Sequence, residues 1–175
     1  MKRTLVSLAA LMLVGLPSAG LALANDARLP AGVLSILNRQ VPGWRLAVPD
    51  ADVIAYCKRE WGLGEDNLAV LRGDFDGNGR TDFALHVLCG TGHKERRLLV
   101  FRRVGRGYRI HTLVSGEPYG QYYLLLARRG TKWVDHATSR PVRFRYDTIQ
   151  LNNFEKSGGS FVYRNGSFRR IATSD

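Results

Sequence analysis

Leu68-Ala69-Val70-Leu71-Arg72-Gly73-Asp74-Phe75-Asp76-Gly77-Asn78-Gly79-Arg80-Thr81-Asp82-Phe83-Ala84-Leu85-His86-Val87-Leu88-Cys89 reads as strand, tight loop, strand. Both flanking runs are short and apolar, and Gly73 and Gly90 bound them, which favours strands over helices. Within the loop, oxygen-bearing side chains stand at Asp74, Asp76, Asn78 and Asp82, the first, third, fifth and ninth positions. Gly79 is sixth, where such a loop must turn sharply. A hard cation needs this alternation: every second side chain points inward and the backbone carbonyl of the seventh residue, Arg80, completes a shell of about six or seven oxygens. The expected ion is calcium, one per chain, held for structural reasons. The other reading of the same residues is a metal-free hairpin loop, because Asp, Asn and Gly are also the ordinary turn residues. Three carboxylates crowded in one loop repel one another unless a cation is present.

An EF-hand would continue into a helix and place a bidentate Glu twelfth, whereas Leu85 stands there in an apolar run. The residues Asp74, Asp76, Asn78, Gly79 and Asp82 instead match D-x-D-x-[ND]-G-x-x-D, and the hairpin resembles the calcium loop of FG-GAP (integrin alpha chain-like, VCBS-type) repeats. The resemblance covers about twenty residues. It implies a structural calcium in an extracellular setting. The motif occurs once, and a repeat architecture buries its faces only by stacking several copies, so a propeller is excluded.

The chain opens Met1-Lys2-Arg3, runs apolar from Leu5 to about Leu16, and offers a small-x-small site at Ala22-Leu23-Ala24. That is the pattern of a secretory signal peptide over residues 1–24, leaving 25–175 as one domain of about 150 residues in the periplasm or outside the cell. No cysteine lies near the site to carry a lipoprotein anchor, and no second hydrophobic segment follows. The formal charge of +11 falls by two when Lys2 and Arg3 leave. A basic surface suits anionic partners, such as an anionic envelope component, and a further envelope protein is the alternative partner. The same arginines can equally reflect composition and serve solubility. No aromatic-interleaved stacking motif accompanies them, so nucleic acid is not the expected partner.

Cys57 and Cys89 are the two cysteines. In an oxidising compartment such a pair is expected to form a disulfide. Cys57 lies on the apolar face of a helix with Val53, Ile54 and Trp61, and Cys89 shares one side of its strand with Phe83, Leu85 and Val87. Two buried free thiols are the competing reading.

The expected fold is α+β, with two N-terminal helices packed on a curved antiparallel β-meander. Pro30 starts the first helix, in which Val33, Leu34, Leu37 and Val41 share a face. Asp50 caps the second and Gly62 ends it. Strands follow at Arg97–Arg103 and Tyr108–Val114 across Gly105-Arg106-Gly107, at Gln121–Ala127, at Val142–Asp147 and near Thr148–Phe154. Ser160–Arg164 and Ser167–Ala172 close over Asn165-Gly166, a strong two-residue turn signal.

Catalytic signals are thin. His86, His93, His111 and His136 form no metal-binding pattern, and Ser115, Ser139 and Ser160 lack a nucleophile elbow. Glu117, Asp135, Asp147 and Glu155 are the acids from which a glycosidase pair could be drawn, and no spacing joins any two of them. The expectation is a non-enzymatic, calcium-stabilised binding or envelope-associated module. A small hydrolase acting on an envelope polymer and an electrostatic binder of anionic envelope polymer are the alternatives.

Overall fold

The computed structural model describes residues 29–116, 121–154 and 156–174, so the expected leader, Glu117 and Glu155 lie outside the described residues. Helix α1 spans Ala31–Gln40 with Pro30 as its N-cap, and α2 spans Ala51–Trp61, closed by Gly62 in the left-handed conformation at φ 65°. Asp50 stands at the N-cap of α2, yet its carboxylate does not cap the helix. It accepts from Gln121 Nε2 while its backbone N–H donates to Gln121 Oε1 at 3.1 Å.

Strand β1 (Arg45–Leu46) precedes α2. Strands β2 (Val70–Gly73), β3 (Asp82–Cys89), β4 (Glu95–Val104) and β5 (Gly107–Gly116) complete the first sheet with it. All its pairings are antiparallel, and β1 and β2 share one edge of β3. A second antiparallel sheet runs β11-β10-β9-β6, from β6 (Tyr122–Ala127), β9 (Thr148–Asn153), β10 (Gly158–Arg164) and β11 (Ser167–Ser174). β7 (Lys132–Asp135) and β8 (Arg140–Arg143) form a separate hairpin.

The expected arrangement of two helices on one meander does not stand: the molecule is predominantly antiparallel β, in two facing sheets plus a hairpin. Strand β3 shows why. Its odd residues Phe83, Leu85, Val87 and Cys89 pack against Val33 and Leu37 of α1, as the period of two predicts. Its even residue Ala84, together with Leu98 and Val100 of β4, is equally buried, against Leu124, Ile149, Leu151 and Phe161 of the second sheet. A sheet apolar on both faces needs a cover on both. After β5 the chain therefore crosses over, and β6 finds its partner in β9 rather than in a sequence neighbour. Helix α2 does not join α1. Its Val53 and Cys57 pack with Tyr123, which alternates with the inward Leu124, so α2 covers the outer face of the second sheet.

Two local expectations also shift. The alternation Val142–Asp147 is strand only to Arg143, after which the chain bends and buries Phe144. Strand β7, unanticipated, supplies the partner of β8. Asn165 and Gly166, at φ 50° and 83°, make the two-residue turn between β10 and β11 as their sequence demands.

Candidate metal centre

The aspartate loop joins β2 to β3, and Gly73 pairs with Asp82 at its neck. No helix follows it. The structure brings Asp74, Asp76 and Asp82 together, each offering a carboxylate oxygen within 4.8 Å of the others.

Each acid is held differently. Asp74 Oδ2 accepts the Gly79 N–H at 2.9 Å, so the first residue of the loop braces the sixth. Asp74 Oδ1 is buried without a hydrogen-bond partner. Asp82 is fully buried, and its oxygens accept the backbone N–H groups of Phe75 at 3.0 Å and Arg103 at 2.6 Å. Burial pushes its carboxyl up to about 6; the Arg103 N–H opposes that, while the nearby Asp76 and Asp74 add to it. Asp76, its side chain 8% exposed, accepts the Asn78 N–H at 3.1 Å and faces at 3.3 Å the Arg102 guanidinium, whose side chain is 12% exposed. Arg102 also lies over the ring of Tyr163, 4.7 Å from its centre.

Asn78 and Arg80 also fasten the loop to its surroundings. The Asn78 amide donates to Asp76 at 3.0 Å and to the Arg103 carbonyl at 3.1 Å, while its Oδ1 accepts the Arg80 N–H at 2.8 Å. The Arg80 side chain reaches the Gly105 carbonyl at 2.9 Å. Loop and β4–β5 turn are thereby fastened together.

The donor set fits a divalent cation. Asp74 Oδ1 is a buried acceptor with no donor, a condition that costs about 1–3 kcal/mol unless something satisfies it. Three carboxylates against one guanidinium leave two uncompensated negative charges, the charge of one divalent ion. All the side-chain donors are oxygens, the chemistry calcium prefers.

Two residues that sequence reading did not connect to the loop support it from a distance. Asp147 Oδ2 accepts the Asp74 N–H at 3.2 Å and Oδ1 accepts the Arg129 N–H at 3.0 Å. The Tyr146 ring lies against Gly77, where an added Cβ would come within 2.0 Å of it. Neither Asp147 nor Arg102 belongs to a local motif, and only the fold delivers them.

Several other candidates hold turns or lie buried among the described residues. The Asp135 carboxylate binds the Ala137 N–H and the Thr138 hydroxyl of its own turn. His86 is buried against Tyr122, with a ring separation of 6.2 Å; burial first, then Arg96, lowers its pKa to about 4. Burial likewise lowers the pKa of His111, which sits against Phe168. Cys57 and Cys89 are both buried and not bonded to each other, Cys57 beside Tyr123 and Cys89 beneath α1. Compared with known protein families, with curated proteins and with solved structures, the chain matches none.

Proposed function

We propose that the chain is an exported, non-enzymatic binding module whose aspartate loop holds one structural calcium. The observation that carries the metal is the convergence of Asp74, Asp76 and Asp82, together with Asp74 Oδ1, a buried acceptor without a donor. The loop ties β2 to β3 and, through Asn78 and Arg80, to the β4–β5 turn, so a cation there would brace one end of the first sheet. Support for a module rather than a glycosidase comes from Asp135 and Asp147, the two described acids of the candidate pair, which both accept backbone N–H groups.

The test is a melting curve after chelation, repeated with calcium restored. A ligand that binds only the folded state stabilises it by about 2.7 kcal/mol at a hundredfold excess over Kd. Wild type should gain several degrees, Asp76→Ala should gain none, and Asp135→Ala should gain as much as wild type. Magnesium should substitute poorly, because it demands a tighter octahedron. A wild-type curve unmoved by millimolar calcium would leave only the metal-free hairpin.

A further inference from the structure

The outer face of the second sheet carries two covers, and a groove of about 1000 Å³ runs beside them and over the edges of β2 and β6. Helix α2 lies on one side through Tyr123 and Phe154. The β7–β8 hairpin lies on the other, its Val142 and the adjoining Phe144 packed on Val162 and Ile171. Leu125 and Gln150, paired across β6 and β9, form part of the floor. Each cover brings a tryptophan to the groove: Trp61, the last residue of α2, is 43% exposed, and Trp133 of β7 is 38% exposed.

Exposed indoles bordering one groove need an explanation, because large apolar groups left in water mark interaction sites. Both are already positioned. The Trp133 indole N–H donates to the Thr173 carbonyl at 2.8 Å, which fixes its plane. Trp61 stands edge-on to Tyr56 at 5.3 Å and tilted on Tyr123 at 5.8 Å. A rigid aromatic face loses little entropy when something flat settles on it. The rest of the lining is mixed, apolar at Leu125 and Leu126 and polar at Asn67, Gln150, Arg72 and Arg128.

We propose that this groove binds an oligosaccharide carrying carboxylate groups. A pyranose ring offers C–H faces to the indoles and a rim of hydroxyls to Asn67 and Gln150, and Arg72 and Arg128 suit a uronate carboxylate. A peptide added as a strand along the β2 or β6 edge is the competing occupant, and its backbone-driven binding would not need the indoles. A nucleic acid would share both the stacking and the arginines, and is the second competing occupant. The inference rests on the binding-module reading and not on the metal.

The experiment titrates the full chain, in chelator and in calcium, with three probes: a hexasaccharide alternating glucuronic acid and N-acetylglucosamine, the uncharged hexamer of N-acetylglucosamine, and a twelve-nucleotide oligo-dT. Calorimetry and tryptophan emission report binding, and melting curves verify that each variant is folded. The charged hexasaccharide should bind and shift the emission. Trp61→Ala and Trp133→Ala should each weaken it by up to about tenfold, the upper end of what one aromatic contact contributes. Trp133→Phe, which keeps a ring, should retain most of the affinity. Arg128→Gln should weaken the charged hexamer and leave the uncharged one unchanged. Binding indifferent to both tryptophans would overturn the assignment, as would absence of hexasaccharide binding at millimolar concentration. Tighter binding of oligo-dT would also overturn it while keeping the binding-module reading, and the calcium-dependent melting reports on the loop independently of every probe.

Discussion

The carboxylate of Asp147 accepts the backbone N–H of Asp74 at 3.2 Å, across 73 residues of chain. The first residue of the aspartate loop is thus positioned by the segment that leads into β9, and one carboxylate joins the two sheets at the mouth of the candidate metal centre. Its other oxygen takes the Arg129 N–H, and Arg128 approaches at 3.2 Å.

Replacing Asp147 by Ala should therefore act on the loop from outside. Two backbone donors lose their acceptor, an expected cost of about 1–3 kcal/mol. Calcium affinity should fall as well, although Asp147 is no ligand in this reading, because Asp74 is released. Chemical denaturation paired with calcium titration checks both; a variant with lowered stability and undiminished calcium affinity would uncouple Asp147 from the centre.

Gly77 and Gly79 provide an internal comparison. Both adopt left-handed φ, 75° and 76°, so alanine at either carries a backbone cost of about 1–2 kcal/mol. Only at Gly77 does the new Cβ also strike the Tyr146 ring. Gly77→Ala should be the more damaging of the two, and in a Tyr146→Ala background its cost should drop to that of Gly79→Ala. A double-mutant cycle measures this; additive effects would mean that Tyr146 does not rest on the loop.

Acid should loosen the fold through His86. Its folded pKa, about 4, lies below the unfolded value of 6.5, because burial penalises the imidazolium and Arg96 repels it. The folded state then binds fewer protons than the unfolded one, so stability rises with pH across roughly 4 to 6.5 and is lost as pH falls through that window. The total is on the order of 3 kcal/mol. Asp82 works the opposite way in metal-free protein: its carboxyl is raised from 3.8 to about 6, so ionisation costs stability as pH rises. Comparing wild type with His86→Phe isolates the histidine: wild type should lose stability relative to the variant as pH falls from 6.5 toward 4. A pH-independent difference would mean that the ring titrates normally. Calcium binding, which needs Asp82 ionised, should weaken below about pH 6.

Cys57 and Cys89 sit in separate apolar clusters, and burial raises the pKa of each thiol. Native protein should resist alkylation at mildly alkaline pH. Alkylation in denaturant without reductant counts thiols, and the arrangement described here gives two. A count of zero in exported protein would establish the disulfide expected for that compartment. It would also require α2 and the end of β3 to meet.

Local chemistry made parts of this legible from residues alone. The hairpin around Gly73–Asp82, the turn at Asn165-Gly166, both helices and the inward face of β3 all follow from short-range pattern, which acts within a few residues. Sheet membership did not, because Phe83-Ala84-Leu85 is apolar in every position and a period-of-two reading credits only one of its faces. The missed burial of Ala84 is what turned a meander into two sheets. Asp147 and Arg102 were unreadable for a related reason. A carboxylate in a bend and an arginine in a strand look the same whether they face water or a loop many residues away, and only the packed chain distinguishes them.

The double burial of β3 has a consequence for the order in which the chain can assemble. Val33 and Leu37 of α1 wait for strands synthesised some fifty residues later, and Val53 and Cys57 of α2 wait for Tyr123. The two described helices thus complete their burial only on later strands, and pairings this distant in sequence form on the slow side, in milliseconds to seconds. For a polypeptide read as leaving the cytoplasm, that delay is useful: a nascent chain without an early core stays threadable until its last strands have emerged.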